Sequence, residues 1–177
     1  MSKLTALALS IAVLGGVWAF LALNPLAGVA LVWVGFIAWG CYFHTGGDNA
    51  ALQKTIAGMS FGAVMAGIAL YLVSSGMLGG LGALAAPVII AITVFPLVIV
   101  AGMNLLSVVP ANVYGYAATA GLALTANTAG NTGAMNMTNP VLLVIVSTII
   151  GAVFGMLSGK LRSEEHTSEL QSPSVIS

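Results

Sequence analysis

Charge is nearly absent from this chain. Its 177 residues include four Lys or Arg and four Asp or Glu, together 5%, where a soluble domain carries about 25%. That scarcity excludes a soluble enzyme. The balance of charge is zero, so there is no basic surface of the kind nucleic acid requires, and no nucleic-acid partner is expected. Cysteine is down to one residue, Cys41, which excludes a disulfide framework and a cysteine-built metal site. Between Lys54 and Lys160 there is no Asp, Glu, Lys, Arg, His or Cys at all. Intramembrane proton relays and ion coupling commonly use acids or histidines, and metal-dependent hydrolysis needs ligands of the same types. An enzyme, a metal site and a cofactor are therefore not expected.

What fills the chain is apolar: 59% hydrophobic residues and a mean hydropathy of +1.10. This is the composition of an all-α bundle embedded in a lipid bilayer. A membrane-crossing helix needs about 20 mainly apolar residues, and six windows qualify: 4–23, 26–43, 55–73, 84–102, 108–126 and 140–158. Turn-forming residues separate them, at Asn24-Pro25, at His44 to Asn49, at Ser74 to Gly82 and at Thr125 to Asn139. The boundary near Met103-Asn104 is almost as apolar as its flanks, and fusing it would leave five spans. The first window follows Lys3 but is longer than the apolar core of a signal peptide, which favours a retained helix.

Orientation follows from lysine. With six spans and an internal N-terminus, Lys3, Lys54 and Lys160 all fall on the cytoplasmic side, as the positive-inside rule asks. Both termini are then cytoplasmic. The remaining charges, Arg162, Glu164, Glu165 and Glu169, crowd into residues 162–177. The run Arg162-Ser-Glu-Glu-His-Thr-Ser-Glu-Leu-Gln-Ser172 resembles a translated sequencing adapter, so a natural domain over 1–161 and a disordered, artefactual tail over 162–177 are expected. Without the tail, three lysines against Asp48 leave a net charge of +2.

Helix packing in lipid relies on small residues that let backbones approach. Gly58, Gly62 and Ala66 share a face of the third span, and Gly151, Gly155 and Gly159 a face of the sixth. These faces suit packing within the bundle, and Gly58, Gly62, Gly151 and Gly155 are also the candidates for homo-oligomer contacts. The run Gly62-Ala-Val-Met resembles Gly151-Ala-Val-Phe, and each is preceded by a span of aromatic and small residues. This suggests a 3+3 repeat, which an odd unit of three spans would invert, as in many transporters.

Two polar clusters remain. The segment Cys41 to Lys54 holds His44, Gly46, Gly47 and Asp48. It reads as a mouth with a titrating imidazole, or as a solvated turn in which the glycines take positive φ and Asp48 or Asn49 caps the next helix. In and beside the fifth span lie Asn104, Ser107, Pro110, Asn112, Tyr114, Tyr116 and Thr119. A proline-broken helix lined with amides, phenols and hydroxyls would pass a neutral polar solute, whereas the same groups on a dry face would tie helices together. The uncharged stretch from Thr125 to Asn139 reads as an external loop, and its Asn136-Met-Thr138 matches a glycosylation sequon. Trp18, Trp33 and Trp39 are read as belt or packing residues.

Two stretches carry a family resemblance. Trp39-Gly-Cys-Tyr-Phe with Gly46-Gly47, and the run from Ser107 to Gly121, resemble segments of the domain of unknown function 1097, a family of small bacterial inner-membrane proteins. The resemblance covers about residues 5–158. It implies a multi-pass bacterial membrane protein and carries no catalytic residues over. Taken together, the residues favour a conduit or transporter for a small neutral or polar solute, and the alternative is a non-transporting structural or accessory membrane protein.

Overall fold

The computed structural model describes residues 3–171, with side chains for 4–161. Within them the chain forms α1 (Lys3–Leu23), α2 (Val32–His44), α3 (Asn49–Ser74), α4 (Ala85–Ile99), α5 (Val109–Thr125) and α6 (Pro140–Gln171), with short 3₁₀ turns between them and no strand. Each expected window holds one helix. Four segments, Leu4–Leu23, Asn49–Ser74, Gly79–Gly102 and Pro140–Leu161, are long and apolar enough to cross a bilayer. The other two are short: α2 has 13 residues and α5 has 17. At 1.5 Å per residue they span about 20 and 26 Å, less than the ~30 Å hydrocarbon core.

The boundaries have local causes. Residues 26–31, expected to be helical, instead turn around Gly28 at φ +78, because Pro25 supplies no N–H and Gly28 tolerates the left-handed backbone. α3 opens on Asp48, whose side chain accepts from the Ala51 N–H at 2.7 Å, while Gly46 and Gly47 take φ +127 and +71. α5 closes on Asn127 at φ +54, with the Thr128 N–H returning to Ala123 O at 2.9 Å, a left-handed cap of the Schellman kind. The unsure boundary at Met103-Asn104 is a real break: Met103 is extended between two 3₁₀ turns.

One correction concerns proline. Pro110 does not break a helix. It is the second residue of α5, where the missing N–H is one that no intrahelical carbonyl needs. The proline inside a helix is Pro96, in α4. The backbone of α6 is helical to Gln171, and no Gly or Pro interrupts residues 160–171. Side chains of 162–177, and with them the adapter reading, lie outside the described residues.

α3 and α6 cross at the centre. α5 packs most extensively on α3, α2 on α6, α1 on α6 and α4 on α3. Glycine makes the two closest crossings. A methyl at Gly62 would overlap the Asn112 carbonyl and one at Gly115 the Met59 carbonyl; one at Gly151 would overlap the Gly35 backbone. Gly58 lies against Ala111 and Asn112, and Gly155 against Trp39 and Tyr42. The four glycines considered for contacts between copies are thus all covered within the chain.

Candidate functional site

The seven residues considered as a path are not brought into one cavity. Asn104 is exposed and Ser107 half-buried, its hydroxyl donating to Asn104 O at 2.8 Å. Asn112 and Thr119 are fully buried. The Asn112 amide donates to Leu97 O at 2.8 Å and to Leu106 O at 3.1 Å. Leu106 O closes the short 3₁₀ turn that precedes α5. One side chain thereby holds that turn and the end of α4 and, through its neighbouring backbone, seats on Gly58 and Gly62 of α3. Its Oδ1 has no hydrogen-bond partner and faces Gly58, where any Cβ would stand 2.8 Å away. This suits a weak Cα–H···O contact.

Tyr116 follows one turn on. Its hydroxyl shares a hydrogen bond with Thr93 Oγ1 of α4 at 2.9 Å, and its ring borders a small apolar cavity of about 150 Å³ with Ala66, Leu70, Ile90 and Leu124. The face carrying Asn112, Tyr116 and Thr119 therefore meets α3 and α4. Tyr114 points elsewhere.

Tyr114 opens onto a groove of about 590 Å³ between α2 and α5. Trp33, Phe36, Ile37, Gly40, Cys41 and His44 form one side, a stripe at helical spacing along α2, and Tyr114, Ala117 and Ala118 form the other. Of the expected mouth, His44 joins this groove. Gly46 and Gly47 instead build the turn beneath it, which Tyr42 fastens by donating its hydroxyl to Gly47 O, and Asp48 is the cap already described. The residues that sequence reasoning missed are Trp33, Phe36 and Gly40. Their signal was the i, i+3, i+4, i+7 stripe in α2, which the run 26–43 concealed by its uniform hydrophobicity. Among the described residues no group of three or more His, Cys, Asp or Glu comes together.

The long loop between α5 and α6 leans on α3. Thr132, Gly133 and Asn139 line a second cavity of about 280 Å³ with Val64, Gly67, Ile68 and Tyr71. Asn139 orders it, donating to Thr132 O and Ala134 O at 2.9 Å each while its Oδ1 accepts from Val141 N at 2.9 Å and caps α6. The loop folds partly back onto the bundle.

Apolar helices of crossing length, packed through glycine and buried side-chain hydrogen bonds, define a helical membrane protein. This chain belongs to the family described as protein of unknown function (DUF1097), whose match covers residues 8–162. No curated protein and no solved structure matches it.

Proposed function

We propose that the protein is a bacterial inner-membrane conduit or transporter for a small neutral solute, not an enzyme, built as a 3+3 inverted repeat with both termini cytoplasmic. The observation that carries this reading is the pair α2 and α5. They are the two helices outside the four segments long enough to cross a bilayer, they hold the second place in each half, and they flank one groove. Short or interrupted helices at matching places in two inverted halves are where transporters bind their substrates.

Exchanging α1 with α4, α2 with α5 and α3 with α6 turns each close pairing into another: α3 on α5 becomes α6 on α2, and α1 on α6 becomes α4 on α3. The sequence supports the same exchange. Asn24, Leu26, Val29, Gly35 and Ala38 recur at one constant spacing as Asn104, Leu106, Val109, Gly115 and Ala118. The Gly-Ala-Val at 62–64 recurs at 151–153, displaced further by the longer loop between α5 and α6. The three lysines support the orientation.

The test is flux into proteoliposomes, with a panel of small amides, polyols, amino acids and small aromatic alcohols. Uptake above empty liposomes for one class, reduced by Tyr114→Ala or Phe36→Ala, is expected. No uptake across the panel would favour the accessory role.

A further inference from the structure

We infer that the moving parts of this protein are not its two sequence halves but two exchanged bodies, α1-α2-α6 and α4-α5-α3, with the groove lying on the seam between them. The inference rests on the transport reading only for its purpose; the grouping itself is read from the hydrogen bonds and backbone-filled glycine notches, with the central α3–α6 crossing lying on the seam.

Within the first body the ties are numerous. Trp18 Nε1 donates to Val32 O at 3.0 Å, joining α1 to α2. Trp39 Nε1 donates to Ser158 Oγ at 3.0 Å, and Leu31 N to Ser147 Oγ at 2.8 Å, joining α2 to α6. Phe154 of α6 lies between Trp18 and Trp39, at ring separations of 5.6 and 5.9 Å. The Gly151 notch receives the Gly35 backbone. In the second body, Asn112 and Tyr116 tie α5 to α4 as described, and Gly62 and Gly115 interlock α5 with α3.

The seam is different in kind. It is paved with methyl groups: Val34, Ala63, Ala118 and Val144 form one cluster, and Ala38, Met59, Ala111 and Ala152 belong to another. Thr148 stands one turn from both Val144 and Ala152, hence on the same face, and its buried hydroxyl has no partner. A weak hydrogen bond crosses the seam, Thr55 Oγ1 to Cys41 Sγ at 3.7 Å. Backbone seated in a glycine notch cannot slide, because packed interiors do not deform continuously. Side-chain methyls, among them the Val141 methyl that lies over Gly67, carry less to hold them than seated backbone and shift at smaller cost. Packed helices that slide in this way make the shear type of domain motion.

Each half therefore gives its third helix to the other body. α2 is held to α6, from the opposite half, more firmly than to α3, its neighbour in sequence. Relative movement of the bodies would open or narrow the α2–α5 groove without disturbing either set of ties.

Spin-label distance distributions in lipid vesicles separate the two groupings. Labels go on outward, roomy positions in a Cys41→Ala background. Gly40 with Leu157 and Val64 with Val113 each join opposite halves inside one body. Gly40 with Val64 joins one half across the seam, and Trp33 with Ile68 repeats that pairing should a Gly40 variant not fold. Narrow distributions for the first two pairs, and one at least twice as broad or two-peaked across the seam, are expected. A seam pair as narrow as the others, or a broad Gly40–Leu157 pair, overturns the grouping. No solute is needed, so the bodies are measured whether or not flux is found, and an absence of flux with the expected distances would count against transport alone.

Discussion

The Asn112 side-chain amide reaches across to Leu97, donating to its main-chain carbonyl at 2.8 Å, and so fixes the end of α4 against the start of α5. Removing it should cost stability. Buried interhelical hydrogen bonds in membranes are worth about 0.6 kcal/mol on average and up to about 1.7. Asn112→Ala, which loses two, is expected to cost about 1–3 kcal/mol. Asn112→Asp keeps the shape but places acceptor oxygens against two carbonyls, so it should be worse than alanine. Thermal unfolding in detergent, followed by loss of the monodisperse species, gives the order; a more stable aspartate variant would contradict the clasp.

Glycine substitutions should sort by what faces them. Gly62→Ala and Gly151→Ala place a methyl on a backbone carbonyl, and overpacking of this kind costs about 1–3 kcal/mol or more. Gly40→Ala and Gly121→Ala meet open space and should fold as well as the parent. Expression and thermal midpoint of the four variants, measured together, check the contrast. Equal behaviour would mean that these crossings are looser than described.

Asp48 should act as a helix cap. Asp48→Ala is expected to cost about 1 kcal/mol, with Asp48→Asn or Asp48→Ser restoring most of it. Flux that falls with Asp48→Asn while stability is kept would instead restore the reading of this residue as part of a mouth.

Water access should follow the groove and not the polar face of α5. Cysteines replacing Tyr114 and Phe36 should react with a small impermeant thiol reagent, and those replacing Asn112 and Thr119 should not. Reaction at Asn112 and Thr119 would put a wet path between α3, α4 and α5.

The sequence made the helices legible because hydropathy is a local sum, and the apolar windows stood clear of their turns everywhere but at Met103-Asn104. Asp48 was legible too, since a cap depends on three neighbouring residues. α2 was overextended because Leu26 to Leu31 are as apolar as a helix, and Gly28 alone marks the turn. Pro110 was misjudged because its effect depends on where the helix starts, one residue before it. Asn112 shows the larger limit. Buried amides look the same whether they line a path or clasp two carbonyls, and the deciding partners, Leu97, Leu106 and Gly58, lie on three different elements. Trp33 was likewise read as a belt or packing residue and Phe36 was not singled out, because aromatic residues are common in apolar helices and only the position of α5 turns theirs into a groove wall.

The central claim is that the second half repeats the first upside down, and inversion requires the connection between α3 and α4 to lie across the membrane from the connection between α2 and α3. Met77 and Met135 are exposed in the expected external connections, and Gly46 and Asn104 in the expected internal ones. Single cysteines at these four positions, in a Cys41→Ala background, should be probed with an impermeant thiol reagent on intact bacteria and again after permeabilisation. The account predicts that Met77→Cys and Met135→Cys label on intact cells, while Gly46→Cys and Asn104→Cys label only once the membrane is opened. Labelling of Met77→Cys and Gly46→Cys from the same side would contradict it.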